Sequence, residues 1–364
     1  MPTLFTMIEQ IAAAIKCQDY RRAGELVNQV LQESPENAWA QLYLGQLHEV
    51  AGKLALAESV YRQLLQKTTN TKVLTQARHG LQRVADRLQQ QRQNAIAAST
   101  ADPDGAQIGV LILEPIPQEI KTTVARTFGQ IMQLDPYTAR LKLPTRGWRF
   151  YKSGKIGELR FLGENLRAAG IPCFWTTLVE IERIQVFQVS YFQSTTPPIV
   201  MGHNAQGQQS SIAFDWSEVS QRVTAQLPIF EQVVDRDVRG KLQRKTQTQD
   251  YAQFCDLHLP ERLCILRLCD RSYQFHQGCA TMNRLNDQTV RLSWNRLSHF
   301  FQQQIPQANV WADFAPFADT VIDQIELLGH LKSHINLFRR TETTWDPAFH
   351  LYSGLILTKA IRRE

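Results

Sequence analysis

A repeat with a period of 34 residues at the front of the chain constrains its fold more than any other feature. Sliding the stretch from Leu42 to Leu65, LYLGQLHEVAGKLALAESVYRQLL, back by 34 positions puts Gly45 on Ile11, Leu54 on Tyr20 and Ala57 on Ala23. The same shift puts Tyr61 on Val27 and Leu64 on Val30. Leu54, Ala57, Tyr61 and Leu64 follow one another at steps of three and four, the spacing of a single helix face. A small residue where two helices cross lets them approach closely, and the apolar faces then bury each hairpin against the next. A third copy, TKVLTQARHGLQRVADRLQQQ, places Gly80 35 residues after Gly45 but has no second helix to follow. It reads as a capping helix.

Asp19-Tyr20 followed by Ala23, with Pro35 closing the unit, resembles the second helix and terminal proline of a tetratricopeptide (TPR) repeat. Leu44-Gly45 resembles the first helix, and 34 residues is the period of that family. The resemblance covers about residues 4–90, a quarter of the chain. It departs from the family pattern in two places: the first copy lacks the glycine, and the second ends in KTTN without a proline. The resemblance implies an array whose first helices line a groove for a peptide or helix of another protein. Phe5, Trp39, Gln46 and Glu49 are the groove candidates. The matching face lacks the Lys, Arg and Asn of a carboxylate clamp, so that mode is not expected. Packing of the same residues on the following domain is the other reading, and at this level both stand open.

At 364 residues the chain is long enough for two or three domains, since single cores rarely grow past about 250 residues. A hydrophobic content of 43% with 20% charged residues excludes a disordered chain. The net charge of +6 leans toward anionic partners only weakly, because clustering of cations matters more than their total. The first residues, MPTLFTMIEQIAAAIKCQ, lack a basic leader and carry Glu9 inside the apolar run, which reads as a helix and not as a secretory signal. No window offers about 18 consecutive apolar residues, so no membrane span is expected. Six scattered cysteines fit reduced thiols and a cytoplasmic location better than a disulfide framework.

The expected fold class is multidomain, α plus α+β. Residues 1–92 form the TPR-like helices with their cap, and 93–107 form a linker rich in Ser, Thr, Asp, Pro and Gly. Residues 108–180 read as strand, helix, strand, strand, helix, strand, the ferredoxin-like α+β pattern, with TARLKL (138–143) as one of the strands. Residues 181–280 are β-rich, expected as a small barrel or sandwich. Residues 281–364 are mainly helical and are expected to pack on the α+β body.

Several residue groups carry chemistry worth testing. Residues 140–160 hold Arg140, Lys142, Arg146, Arg149, Lys152 and Lys155, with Trp148, Phe150 and Tyr151 interleaved. Cations set among aromatics can neutralise phosphates and stack bases. Ser153-Gly154 ahead of a helix adds free N–H groups beside Lys155, although Ile156 stands where a Walker loop needs Ser or Thr. A plainer arrangement puts the rings inside and the cations on a guarded sheet edge. A second basic run contains Arg236, Arg239, Lys241, Arg244 and Lys245, offset by Asp235 and Asp237, and reads as an exposed loop.

Cys255, His258, Cys264, Cys269, His276 and Cys279 invite a zinc reading. Residues five apart on a strand face opposite sides, however, so Cys264 and Cys269 cannot converge. Asp323, Glu326, His330 and His334 would form one stripe of a single helix, more simply a solvated flank than a metal site. No catalytic motif is recognised, and no metal or cofactor is implied. The leading expectation is a non-catalytic adaptor or scaffold that binds another protein through the array. The alternative is nucleic-acid or anionic-ligand binding through 140–160, and the third is an enzyme with an unrecognised site.

Overall fold

Five helices fill the first part of the chain: α1 (Leu4–Lys16), α2 (Tyr20–Glu33), α3 (Ala38–Val50), α4 (Leu54–Lys67) and α5 (Thr71–Thr100). The computed structural model describes residues 4–236, 241–279, 289–337 and 343–362. It divides into two units, Met1–Ala98 and Ser99–Glu364. Caps set the helix starts in the first unit. Asp19 accepts from the Arg22 N–H, and Asn37 accepts from the N–H groups of Trp39 and Ala40, both at 3.1 Å. The repeat positions are core positions. Met7, Ile11, Val27, Val30 and Ala40 form one apolar cluster, and Leu42, Leu54, Ala57, Tyr61, Leu64, Val73, Ala77 and Val84 form the next. Each hairpin thus shares its buried face with the element after it.

The capping helix α5 does not stop where composition places the linker. Residues 93–100 continue it, because Ala95, Ala97 and Ala98 favour helix and neither Gly nor Pro intervenes before Pro103. The short helix α6 (Pro103–Ala106) follows.

The second unit opens with β1 (Ile108–Leu113), α7 (Lys121–Met132), α8 (Pro136–Lys142), β2 (Arg149–Lys155), α9 (Ile156–Ala168) and β3 (Cys173–Thr177). The α+β character is as expected, but the fourth strand of the ferredoxin-like pattern is absent. Residues 138–143 lie in and just after α8, not in a strand. The Asp135 carboxylate accepts from the N–H groups of Tyr137 and Thr138, Pro136 occupies the first turn, and Ala139 and Leu143, four apart, are the buried pair. Over six residues, alternation and a four-residue step give similar patterns, and the cap decides. The resulting sheet has the order β2-β1-β3, antiparallel throughout, with α7, α8 and α9 packed on one face through Leu111, Leu113, Phe128, Leu159 and Leu162.

The β-rich region is an open mixed sheet and neither a closed barrel nor a sandwich. After α10 (Leu178–Glu182) come β4 (Gln185–Thr195), β5 (Pro198–His203), β6 (Gln209–Ala213), β7 (Gln221–Arg236), β8 (Leu242–Leu259) and β9 (Cys264–Cys269). Then follow α11 (Val290–Gln304), β10 (Asn309–Trp311), α12 (Phe314–Val321), α13 (Ile325–Gly329) and α14 (Trp345–Ile361). The strand order is β10-β7-β8-β9-β4-β5-β6, so the ends β10 and β6 do not meet. Both faces are covered by helices, which removes the need to close. Cys255, Leu257, Leu266 and Leu268 pack with Trp294, Leu297 and Phe301 of α11 on one face. On the other face Leu227, Ala252 and Phe254 pack with Phe314 and Phe317 of α12 and with Phe349 and Tyr352 of α14.

The same core takes in Val110, Ile112 and Phe174 of the smaller sheet, so α12 and α14 lie between the two sheets. Helix α14 is buried on every side from Ala348 to Thr358, which matches an apolar sequence with no polar face. One stripe through Asp323, Glu326, His330 and His334 requires a single helix over 323–334. The chain instead breaks after Val321 and again after Gly329, so Asp323, Glu326, His330 and His334 do not share a helix.

Candidate protein-interaction surface

The first unit is held in register by one aromatic ring. Tyr61 of α4 is fully buried, with Gly45 of α3 on one side and Gly80 of α5 on the other. A Cβ built on Gly45 would fall 2.5 Å from Tyr61 Cε1, and one on Gly80 2.6 Å from Cε2. Only glycine leaves room for the ring at either position. The Tyr61 hydroxyl donates to the Glu49 carboxylate, which also accepts from Arg83 Nε at 3.1 Å and Arg83 Nη2 at 2.8 Å. Arg87 donates to the Glu49 main-chain oxygen at 3.0 Å. Burial, and then the neighbouring carboxylate, pushes the Tyr61 hydroxyl far above its ordinary pKa, so it remains a proton donor.

This knot presents a face of α3. Trp39, Tyr43, Gln46 and Val50 follow one another at steps of four, three and four and so form one stripe. Trp39, Tyr43 and Gln46 are half-buried, and Val50 is 50% exposed. The two rings lie 6.2 Å apart at 30°, Trp39 leaning on the α4–α5 cluster and Tyr43 on the α1–α2 cluster. Partial burial raises the Tyr43 hydroxyl. Partial burial, and then Lys53, lowers the nearby His48. Half-buried aromatics are among the residues enriched at protein interfaces.

The groove candidates divide on this geometry. Trp39 and Gln46 are on the stripe. Glu49 is 5% exposed and engaged by Tyr61 and Arg83, so its carboxylate faces the hairpin interior. Phe5 lies in α1, and its side chain is outside the described residues. Tyr43 and Val50 were not among the candidates, although the steps from Trp39 lead to them.

The basic segment 140–160 separates its rings from its cations. Trp148 is 4% exposed and packs against Phe174, Trp311 and Tyr352. Phe150 is buried, and Tyr151 meets Phe128 edge-on at 5.4 Å. Arg149 donates to the Leu141 carbonyl, and burial lowers its pKa. Lys152 pairs with Glu158 at 2.6 Å. Arg140, Lys142, Arg146 and Lys155 are exposed, the first two in the last turn of α8, where cations oppose the helix dipole. The Ile156 N–H at the start of α9 donates to the Gln107 carbonyl. Of the second basic run, Arg244 and Lys245 are exposed on β8, while Arg239 and the Arg236 side chain lie outside the described residues.

Cys264 faces the α11 core and Cys269 the α14 core, on opposite faces of the sheet. Among the described residues no three His, Cys, Asp or Glu side chains come together as a metal site. A buried polar cluster lies where sequence reasoning had none. Asp256 of β8 pairs with Arg267 of β9 through two bonds at 2.9 and 2.7 Å. The Ser353 hydroxyl of α14 donates to Asp256 at 2.6 Å, so it accepts from His258 Nε2 at 2.9 Å. All four side chains are at most 3% exposed. With serine between histidine and aspartate, His258 donates to the hydroxyl and cannot deprotonate it, unlike a nucleophile triad. The cluster ties α14 to the sheet. The cross-strand alignment of Asp256 with Arg267 was its one sequence-level clue, and it required knowing the register.

A tetratricopeptide repeat family model matches residues 14–83, from the end of α1 into α5. No curated protein and no solved structure matches the chain. No helix among the described residues is long and apolar enough to cross a membrane. The N-terminal quarter of the chain is a tetratricopeptide-repeat segment.

Proposed function

We propose that the chain is a non-catalytic adaptor that binds another protein through the face of α3 bearing Trp39, Tyr43, Gln46 and Val50. The observation that carries this reading is the pair of anchored, half-open rings of Trp39 and Tyr43 on a repeat built for interaction. A tetratricopeptide repeat supports a protein-interaction role in general, and the stripe supports a specific face. A partner helix or extended segment with apolar anchors fits an aromatic and amide surface of this kind. Burial of Cys173, Cys255, Cys264 and Cys269 as small apolar groups supports a cytoplasmic place of action.

The alternative through residues 140–160 is disfavoured, because Trp148 and Phe150 are packed inward and offer no face on which bases stack. Affinity capture with the full chain tests the proposal. Wild-type protein is expected to retain a partner that Trp39→Ala/Tyr43→Ala loses, while Arg140→Gln/Arg146→Gln retains it. Equal recovery by all three would contradict the assignment.

A further inference from the structure

We propose that the second unit binds a small organic oxyanion in the cavity beside the outer edge of β3, its charged head on Arg167 and its flat body against Trp175. The cavity measures about 420 Å³ and is lined by Glu114, Arg167, Phe174, Trp175, Lys359 and Arg362, among others. That volume lies within the range of small-molecule sites, and the mixture of ring walls with a few charged groups is also typical of them. β3 is an end strand of its sheet, so no further strand of that sheet fills the space.

The charges in the lining are unbalanced. Lys359 pairs with Glu114 and lies 4.9 and 4.8 Å from the rings of Trp148 and Phe174. Arg362 donates to the Trp175 carbonyl and to both carboxylate oxygens of Glu180. Arg167 donates through Nε to the Cys173 carbonyl at 2.9 Å and has no carboxylate partner among the described residues. Capping the open carbonyls of β3 accounts for one bond from each arginine. Arg167 is exposed, so its guanidinium is solvated where it lines the cavity and is open to an incoming anion.

The site is also built before any ligand arrives. A Cβ on Gly163 would fall 2.2 Å from Trp175 Cε3, so the indole lies directly on the backbone of α9. One turn further along α9, the Arg167 guanidinium stacks 4.4 Å from the centre of the Trp175 ring. Ring and cation are thereby fixed, and fixing them in advance lowers the ordering cost of binding. A planar guanidinium fork matches a head with two anionic oxygens, which carboxylates and phosphates share. The half-buried Trp175 indole matches a flat apolar body.

The test is titration of the full chain with benzoate and with phenyl phosphate, using benzyl alcohol as the neutral counterpart, followed by calorimetry and NMR. At least one of the two anions is expected to bind with Kd at or below about 1 mM. Its ring protons should show Overhauser contacts to the Trp175 indole, and benzyl alcohol should bind more weakly. The preferred anion identifies the head as carboxylate or phosphate. Arg167→Gln is expected to weaken binding about tenfold or more, as loss of a charge-assisted bond does, while Arg140→Gln leaves it unchanged. No binding of either anion overturns the proposal, as does binding undiminished in a folded Arg167→Gln variant. If that variant does not fold, the wild-type contacts decide: a bound anion without contact to Trp175 overturns it equally.

Discussion

Tyr61 rests its ring on the backbone of Gly45, closely enough that a single added methyl would overlap it. Gly80 closes the other side of the ring, so it has nowhere to move. Gly45→Ala is therefore expected to destabilise the first unit by ~1–3 kcal/mol through overpacking. Ala57→Leu, at a fully buried position in the same cluster, is expected to cost a similar amount. Thermal melts check both, and an unchanged melting temperature for either would sink the hairpin packing described above.

Glu49 joins α3, α4 and α5 through Tyr61 and Arg83. Glu49→Ala leaves the Tyr61 hydroxyl buried without its acceptor, which costs ~1–3 kcal/mol. Amide exchange should then accelerate between Val73 and Val84 on α5, the stretch packed against Tyr61. Exchange unchanged in that stretch would show that the carboxylate does not hold the helices together.

His258 gives the second unit an acid-sensitive stability. Burial lowers its pKa to about 4 from the ordinary 6.5, with Asp256 partly opposing the shift. The unfolded chain takes up this proton at about pH 6.5, the folded protein only near pH 4, so stability falls as pH drops through that window. The slope from this group is ~1.4 kcal/mol per pH unit. Urea titrations of wild type and His258→Phe between pH 7 and 4.5 are expected to show a shallower pH dependence in the variant. Identical slopes would contradict the assignment.

Five of the six thiols are expected to react in two classes. Cys17 is exposed, whereas Cys173, Cys255, Cys264 and Cys269 are buried. Burial also pushes Cys255 up to about 12 and Cys173, Cys264 and Cys269 up to about 11, which keeps them protonated. Ellman's reagent at neutral pH should modify Cys17 quickly and the buried four only after denaturant. Fast native labelling of Cys255, read by peptide mass, would show that the face of the sheet under α11 is open.

The helical array was legible in the sequence because its information is local. Ala23, Val27 and Val30, and then Ala57, Tyr61 and Leu64, repeat at a fixed offset and are buried in both copies. The role of Gly80 was only half legible. Its spacing marked a capping helix, but not that it grips the same ring as Gly45. Strand TARLKL was misread because the cap at Asp135, just outside the window, outweighs a six-residue alternation. The seven-stranded sheet was not legible, since its order depends on pairings such as β4 with β9 and β10 with β7, which join distant residues. Of the groove candidates, Trp39 and Gln46 lie on the α3 stripe, while Glu49 is drawn inward by an arginine 34 residues away, a contact that helix spacing alone does not reveal.

Photo-cross-linking tests the central claim most directly. A diazirine amino acid placed at Gln46, and separately at Lys142, reports which surface meets a partner in cells. The account predicts a discrete protein adduct from position 46 that Trp39→Ala/Tyr43→Ala abolishes, and none from position 142. Cross-links to nucleic acid from position 142, with position 46 silent, would contradict it.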